Sequence, residues 1–313
     1  MTYALVFPGQ GSQYVGMGKD LAQWSSAARE TFAEADEALG FNLSRLCFEG
    51  PEEDLRLTEN TQPAILTASV AAWRALGSEV ELSPACVAGH SLGEYSALVA
   101  AGSIPFSDAV TAVRERGRAM QEAVPAGEGA MAALLGMDRD QIIDICRAVS
   151  SESIIVAAAN YNAPGQIVIA GHTDGVLGAI DLFKARGGKR AVQLPVSAPF
   201  HCALMEPAAR RMEKVLKDIR IDSPKTVLIN NAEAVPVKEA ALVAPSLVRQ
   251  ITSPVLWEDI VKVMVEQGVT TFLELGPGKV LAGLIKRIDK QTTAVSFGAP
   301  DDLGSVTQCL EVE

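Results

Sequence analysis

The segment GHSLG at 89–93 is the strongest chemical signal in the sequence. It fits the pattern Gly-x-Ser-x-Gly, with a predicted strand at 84–90 and a predicted helix at 92–101. In that context the glycines allow a sharp strand-to-helix turn, which presents the serine at a helix N-terminus where backbone N–H groups favour a developing negative charge. We therefore interpret Ser91 as a nucleophile rather than as an incidental serine in a glycine turn.

A serine hydroxyl is a weak nucleophile and needs a base, and the chain has only three histidines. His90 adjoins Ser91, so in an extended strand its side chain points to the opposite face, and it is best explained as a packed residue. His172 ends a predicted strand and is most simply a surface residue. His201 is then left as the base. Cys202 is a rival nucleophile, although a small cysteine in such a setting is more often just buried.

The order of these groups departs from that of an α/β hydrolase, which places an acid between the serine and a histidine near the C-terminus. Here the acids between Ser91 and His201 mostly belong to predicted helix surfaces, and a long segment follows His201. A group other than a carboxylate is therefore expected to orient His201. This departure weakens the hydrolase interpretation, but a thioesterase or esterase stays open because both share Gly-x-Ser-x-Gly.

The predicted helix 107–122 carries an apolar stripe, and Arg116 lies on that stripe. A lone buried charge is very costly, so Arg116 needs an anionic partner. Either it forms a structural ion pair or snorkels to solvent, or it holds a substrate carboxylate in a bidentate clamp. Arg118 lies off the stripe and four residues before Glu122, a spacing that predicts a surface ion pair.

Two glycine-rich loops fail as nucleotide sites. The first follows the predicted strand 3–7 and has Tyr14 where Gly-x-Gly-x-x-Gly requires its third glycine. The second, GPGK at 276–279, lacks the upstream glycine of a P-loop. Gln10 lies in the first loop at the carboxyl end of its strand, where it can supply a donor near the nucleophile.

Composition excludes several classes of protein. The 313 residues carry a formal net charge of -11, so nucleic acid is not an expected partner. No apolar run approaches the ~18 residues of a membrane helix, and the N-terminus lacks the features of a signal peptide. Five scattered cysteines without a Cys-x-x-Cys pair argue against a disulfide framework and a zinc site. We expect a cytoplasmic protein.

The elements that must position these groups alternate between strand and helix at both ends of the chain. Toward the N-terminus, strands are predicted over 3–7 and 84–90, and helices over 20–39, 62–76, 92–101 and 107–122. Toward the C-terminus, strands are predicted over 226–230 and 271–275, and helices over 203–218, 257–267 and 279–289. Such alternation predicts an α/β fold with a mostly parallel sheet. Between 129 and 194 the predicted order is instead β-α-β-β-α-β, which is ferredoxin-like. We therefore predict a large subdomain formed by 1–125 and 199–313, with a small ferredoxin-like subdomain inserted at 126–198.

The chain resembles the malonyl-CoA:acyl carrier protein transacylases, a family of acyltransferases of fatty acid and polyketide synthesis. The resemblance spans essentially the whole sequence, and the serine segment together with PGQGSQ is highly specific for this family. The matching segments are FPGQGSQYVGMG (7–18), TQPA (61–64), GHSLGEYSALVAAG (89–102), RGRAMQ (116–121), NAPGQIVIAGH (162–172), PVSAPFHCALM (195–205), VRQI (248–251) and ELGPGKVL (274–281).

The resemblance implies a role for each matching position. Ser91 carries the acyl group, and His201 is its base. The backbone N–H groups of Gln10 and Leu92 form the oxyanion hole, and Arg116 binds the malonyl carboxylate.

Two further positions follow from the same resemblance. The backbone carbonyl of Gln250 orients the histidine, in place of the missing acid. Phe200 occupies a position where phenylalanine accompanies a preference for malonyl over methylmalonyl groups.

The resemblance also implies the α/β-hydrolase-like large subdomain and the reaction. A malonyl group passes from malonyl-CoA to the phosphopantetheine thiol of acyl carrier protein through a malonyl-serine intermediate, without a metal or other cofactor. Supply of extender units for fatty acid synthesis is expected, and a trans-acting acyltransferase of a polyketide synthase is the alternative. A non-catalytic docking protein would have lost Ser91 or His201, and both are present. A monomer is expected.

Docking of an acidic carrier on a protein of charge -11 requires a local basic patch near Ser91. The alternative is that the candidate residues are ordinary solvated charges. The candidates are Lys189 and Arg190 in the inserted unit, and Lys286, Arg287 and Lys290 after the GPGK loop.

Overall fold

Two β-sheets organise the chain. The structure is a computed structural model that describes residues 2–196 and 198–311, and within them one sheet has six strands and the other has four. The strands, in chain order, are β1 (Tyr3–Phe7), β2 (Cys86–Gly89), β3 (Gly129–Leu135), β4 (Val156–Ala163), β5 (Gln166–His172), β6 (Arg190–Gln193), β7 (Val227–Ile229), β8 (Pro236–Val237), β9 (Thr271–Leu275) and β10 (Thr293–Phe297).

Helices cover both faces of the larger sheet. Within the described ranges, none of them is long and apolar enough to cross a lipid bilayer. The helices are α1 (Lys19–Trp24), α2 (Ser26–Leu39), α3 (Leu43–Glu49), α4 (Glu52–Arg56), α5 (Thr58–Glu79), α6 (Gly93–Ala100), α7 (Phe106–Glu122), α8 (Arg139–Val149), α9 (Thr173–Ala185), α10 (Glu206–Lys217), α11 (Ala240–Thr252), α12 (Trp257–Glu266), α13 (Val280–Ile288) and α14 (Leu303–Glu311).

The larger sheet has the strand order β10-β9-β1-β2-β7-β8, and only β8, at the edge, is antiparallel to its neighbour. All five residues of β1 are buried. Leu5 and Phe7 face the core formed with α2, α5 and α7, whereas Ala4 and Val6 face a second core with α12 and α13. Because both faces are covered, β1 is a continuous apolar run. The predicted α/β fold with a parallel sheet is confirmed.

The smaller sheet has the order β4-β5-β3-β6 with antiparallel pairing throughout. Its elements follow one another as β3-α8-β4-β5-α9-β6, so the ferredoxin-like prediction is confirmed. On one face Ala132 and Ile169 pack against α8 and α9, while Met131 and Val168 turn to the main core. All four strands fall between 129 and 193, which supports our proposed boundaries of 126–198 for the inserted unit.

Several elements differ from the prediction. The helix predicted over 20–39 is two helices, because Ser25 is extended and its hydroxyl accepts a hydrogen bond from Ala28 N (3.4 Å) as the N-cap of α2. The helices α3, α4, α11 and α14 and the strands β8 and β10 were not predicted from the sequence. The predicted pair of Arg118 and Glu122 is wrong, since Arg118 pairs with Glu59 (2.7 Å) and Glu115 (3.1 Å).

Candidate active site

Ser91 lies in the tight turn between β2 and α6, with a left-handed backbone at φ 53°. The turn is possible only because of its glycines. A Cβ on Gly89 would lie 1.9 Å from the backbone of Gly93, and a Cβ on Gly93 would lie 2.2 Å from Phe7 O at the end of β1. The strain at a non-glycine residue is therefore held by close packing of strand and helix, as in a nucleophile elbow.

His201 completes a hydrogen-bonded pair with Ser91. The distance from Ser91 Oγ to His201 Nε2 is 2.7 Å, and His201 Nδ1 lies 2.9 Å from the backbone oxygen of Gln250. Because a carbonyl oxygen only accepts, Nδ1 carries the proton, and the bare Nε2 accepts from the serine hydroxyl. A backbone carbonyl thus takes the place of the acid in a catalytic triad.

The environment of His201 keeps its imidazole neutral. Burial, followed by the positive charge of Arg116, lowers the pKa of His201 to about 3, although the hydrogen bond to Gln250 acts in the opposite direction. The free site therefore holds a histidine that is ready to accept a proton across the neutral pH range.

Arg116 is 1% exposed on α7 and points at the nucleophile. Its Nη2 donates to Ser91 Oγ (3.2 Å) and Gln250 Oε1 (2.8 Å), and its Nη1 donates to Gln62 Oε1 (2.7 Å). All of these acceptors are uncharged. Three of the five N–H donors of the guanidinium are used, and Nε has no partner in the described part of the chain. The structural ion pair considered from the sequence is absent from these contacts.

Three buried polar residues at this site were not predicted. Besides Gln62 on α5, these are Glu94, which accepts from Gln250 Nε2 (2.7 Å), and Asn231, whose Oδ1 accepts from Ser91 N (2.7 Å). Glu94 is an exception to the expectation that the acids between Ser91 and His201 mostly lie on helix surfaces, since it is fully buried.

Two of these residues carried a usable sequence signal. Glu94 is the single charged residue in α6, which is otherwise apolar or small. Asn231 follows β7 at the carboxyl edge of a parallel sheet, where ligand sites form. Gln62 has no such signal beyond its place in TQPA.

A cavity of about 100 Å³ opens at Ser91. Its lining includes the polar side chains of Gln62 and Arg116 together with several apolar side chains. The apolar residues are Met120, Met131, Leu194, Val196 and Phe200.

The predicted oxyanion donors lie at the same cavity. Gln10 and Leu92 both line it, and neither backbone N–H is hydrogen-bonded to another described residue. The Gln10 side chain is turned away toward Thr58 Oγ1 (3.4 Å). Two unused N–H groups beside a nucleophile suit a developing oxyanion.

The rival groups have structural explanations. His90 hydrogen-bonds Asn162 Oδ1 through Nε2 (2.8 Å) and packs against the ring of Trp257, as expected of a packed histidine, although it also borders the cavity. Cys202 is buried, and burial raises its pKa to about 11, so its thiol is not ionised. Next to the second glycine loop, Glu274 on β9 accepts from the backbone N–H of Leu281 and thereby occupies the N-terminus of α13.

The pairing of Ser91 with His201 in this fold is suited to acyl transfer, and the family comparison identifies the same class of protein. The chain belongs to the acyl transferase domain family, whose model matches residues 4–300.

The chain is 47% identical over 310 residues to the malonyl CoA-acyl carrier protein transacylase of Bacillus subtilis, covering 99% of this chain and 98% of the relative. The solved structure of the corresponding transacylase from Coxiella burnetii has a TM-score of 0.96 and 43% identity, covering 98% and 97% of the two chains. A malonyl-transacylase in complex with its type II polyketide synthase acyl-carrier protein has a TM-score of 0.96 and 46% identity, covering 99% and 100%.

Proposed function

We propose that this protein transfers the malonyl group of malonyl-CoA to the phosphopantetheine thiol of acyl carrier protein, supplying extender units for fatty acid synthesis. The observation that carries the proposal is the position of Arg116. A buried guanidinium without a direct anionic partner, 3.2 Å from the nucleophilic oxygen, is suited to an acyl group that ends in a carboxylate. The full-length similarity to malonyl transacylases supports the same substrate.

In the first half-reaction, Ser91 Oγ attacks the thioester carbonyl while its proton passes to His201 Nε2. The N–H groups of Gln10 and Leu92 hold the oxyanion, and Arg116 holds the free carboxylate of the malonyl group. The intermediate collapses by breaking the carbon–sulfur bond, and the imidazolium returns its proton to the sulfur of CoA. The product is a malonyl ester on Ser91.

In the second half-reaction, the thiol of the carrier enters the position that CoA has left. His201 takes the thiol proton, and the sulfur attacks the ester carbonyl. The bond between the acyl carbon and Ser91 Oγ then breaks, and Oγ recovers its proton from the imidazolium. Because both half-reactions use one site, the kinetics are ping-pong. No metal or redox group enters either step.

A second cavity offers a route for the pantetheine arm that CoA and the carrier share. Its volume is about 440 Å³, and it shares Gln10, Leu194 and Val196 with the cavity at Ser91. It extends to the exposed residues Gly11 and Arg56. We propose that the arm passes between the first glycine loop and the end of the inserted unit.

The five cysteines are free, which supports a cytoplasmic location for the reaction.

The two basic patches predicted for carrier docking lie near each other. Arg287 Nη1 donates to Gln166 Oε1 (2.7 Å), Gln166 pairs with Leu135 across β5 and β3, and Leu135 pairs with Arg190 on β6. Neighbouring strands are about 5 Å apart, so the patches are separated by only two strand spacings. We propose that together they form one docking surface.

Charge reversal tests that surface. Lys189→Glu/Arg190→Glu and Lys286→Glu/Arg287→Glu should each raise the KM for the carrier about tenfold at low salt and leave loading from malonyl-CoA unchanged. The matched control is Lys214→Glu/Lys217→Glu, the same charge change on α10. Equal carrier kinetics in all three variants would place the docking surface elsewhere.

The decisive experiment separates the acyltransferase from a serine hydrolase, the other class that shares the motif. The protein is loaded with malonyl-CoA, freed of CoA and mixed with the phosphopantetheine form of acyl carrier protein or with buffer alone. We expect the malonyl group to move to the carrier thiol much faster than malonate appears in buffer. Malonate release that matches or exceeds transfer would identify a thioesterase instead.

A further inference from the structure

Glu94 is a buried carboxylate behind the nucleophile that the reaction above does not use. It is the second residue of α6 and is fully buried. Its Oε2 accepts from Gln250 Nε2 (2.7 Å) and from Asn231 N (3.1 Å), while its Oε1 has no partner in the described part of the chain. A buried carboxylate is costly unless a positive charge compensates it, so the nearest cation needs to be identified.

That cation is Arg116, and the side chain of Gln250 lies between the two charges. Arg116 Nη2 donates to Gln250 Oε1 (2.8 Å), and Gln250 Nε2 donates to Glu94 Oε2 (2.7 Å). A guanidinium can only donate and a carboxylate can only accept, so only one orientation of the Gln250 amide satisfies both neighbours. The amide dipole is thereby aligned between the charges.

The ionised state of Glu94 is accessible in mildly alkaline solution. Burial raises the pKa of Glu94 to about 7, while the hydrogen bonds from Gln250 and Asn231 and the charge of Arg116 act to lower it. Above that pH the site holds one buried positive and one buried negative charge, joined through an amide rather than in direct contact.

We propose that Glu94 is a positioning residue that neutralises Arg116 at a distance, and that Gln250 is a spacer that keeps this carboxylate off the guanidinium. A direct ion pair would also neutralise the charge, but the carboxylate would then be an internal anion that competes with the substrate carboxylate for the guanidinium. The uncharged Gln250 amide accepts one N–H without adding such a competitor, and two of the five N–H donors of Arg116 have no acceptor among the contacts above. This inference rests on the proposed function, since it concerns how the site selects an acyl group that carries a carboxylate.

An exchange of the two side chains tests the spacer. The variant Glu94→Gln/Gln250→Glu keeps the total charge and the backbone carbonyl that orients His201, but it places a carboxylate directly on Arg116. Loading from malonyl-CoA and from acetyl-CoA is measured at about pH 8.5, where the wild-type Glu94 is ionised. Since Gln250 Nε2 also donates to Ser91 O (3.0 Å), the exchange should lower kcat for both thioesters.

The deciding quantity is the ratio of kcat/KM for malonyl-CoA to that for acetyl-CoA. We expect the exchange to lower this ratio at least about tenfold, mainly through the KM for malonyl-CoA, because the substrate carboxylate must now displace an internal one. A merely structural role would reduce kcat/KM for both thioesters alike and leave the ratio unchanged. A folded exchange variant that keeps the wild-type ratio overturns the inference.

The single variant Glu94→Gln keeps the inference testable if the exchange variant does not fold. Its amide oxygen can still accept from Gln250 and Asn231, so the geometry is retained while the charge is removed. The malonyl-to-acetyl ratio should then equal or exceed that of the wild type, because no internal anion competes with the substrate carboxylate for Arg116. A lower ratio overturns the inference. If the wild type itself forms no malonyl-enzyme, it is the proposed function that fails.

Discussion

The two sides of the cavity at Ser91 are built on different principles. What we call the polar side is the part of the lining formed by Gln62 and Arg116, with Gln250 behind them, and these residues come from α5, α7 and α11. Each of these side chains is buried and hydrogen-bonded in one orientation. The apolar side consists of Met131, Leu194, Val196 and Phe200, which come from the inserted unit and the segment that follows it.

The difference between the sides determines what each can discriminate. An unpaired buried charge costs about 3–5 kcal/mol, so the polar side can reject a substrate that lacks a carboxylate. One methylene in an apolar pocket is worth only ~1–3 kcal/mol. We therefore expect the polar side to decide the chemical class of the acyl group and the apolar side to adjust its size.

The largest effect should come from substitutions of Ser91 and His201, the pair that the reaction requires for every acyl group. Ser91→Ala should abolish the covalent malonyl adduct, and His201→Ala should slow both half-reactions by several orders of magnitude, because each uses the same base. The measurement is intact-protein mass spectrometry together with stopped-flow loading. His172→Ala, a histidine on β5, is the control. An adduct that survives Ser91→Ala but is lost in Cys202→Ala would show that the nucleophile is Cys202 and not Ser91.

Removal of the charge on the polar side should have the next largest effect. Arg116→Ala should reduce kcat/KM for malonyl-CoA about 100-fold or more, as expected for an unpaired substrate carboxylate, and should reduce that for acetyl-CoA far less. Arg118→Ala is the control, since Arg118 lies on the same helix but pairs with Glu59 on the surface. Equal losses for both thioesters would show that Arg116 is only structural.

A change on the apolar side should be more modest. Phe200 is 7% exposed and borders the cavity, so Phe200→Ser should widen the space beside the bound acyl group. The ratio of kcat/KM for malonyl-CoA to that for methylmalonyl-CoA should fall by roughly 10-fold, the effect of about one methylene. Phe200→Leu should give an intermediate value. An unchanged ratio in both variants would remove Phe200 from the pocket.

The smallest effect should be that of pH on the reactivity of Ser91. Because the pKa of His201 is about 3, the imidazole stays unprotonated from pH 8 to pH 5, and the rate of modification by methanesulfonyl fluoride should change little. The reagent is uncharged, so it does not depend on Arg116 as an anion site. If the pKa of this histidine were near 6.5, the rate of modification at pH 5 would be about 30-fold lower than at pH 8. Such a loss would contradict a buried, neutral His201.

The lowered pKa of His201 also makes the free energy of unfolding depend on pH, in a direction that can be stated. His201 is neutral in the fold below pH 6.5, whereas in the unfolded chain it takes up a proton. The unfolded state then binds more protons, so stability from this group falls as pH decreases from about 6.5 toward 3. The slope is about 1.4 kcal/mol per pH unit. A His201→Gln variant measured by denaturant unfolding should lack this contribution.

Much of the fold could be predicted because apolar patterning and glycines are local signals. The strands 3–7 and 271–275 were predicted with the bounds that the structure has, and the ferredoxin-like order was correct. Helix α11 was not predicted, since Pro245 lies inside it and interrupts a helical pattern. This missed helix matters for the site, because α11 is the element that places Gln250 beside His201.

The residues of the site also fall into two groups, those that a local sequence pattern predicts and those that it does not. Ser91 and Arg116 were found from local patterns, a motif in one case and an apolar stripe in the other. The relay through Gln250 to Glu94 joins α7, α11 and α6. The sequence separation is 134 from Arg116 to Gln250 and 156 from Glu94 to Gln250. No local pattern records a contact over such a separation. Only the packed structure shows it.

The account is tested most directly by a competition for the nucleophile. The protein is mixed with equal concentrations of malonyl-CoA and acetyl-CoA, quenched within the first turnover, digested and mapped by mass spectrometry. We predict a single malonyl group on the peptide that contains Ser91, with acetyl as a minor species that becomes the major one in Arg116→Ala. Equal malonyl and acetyl labelling of the wild type, or a label on any other residue, would contradict the account.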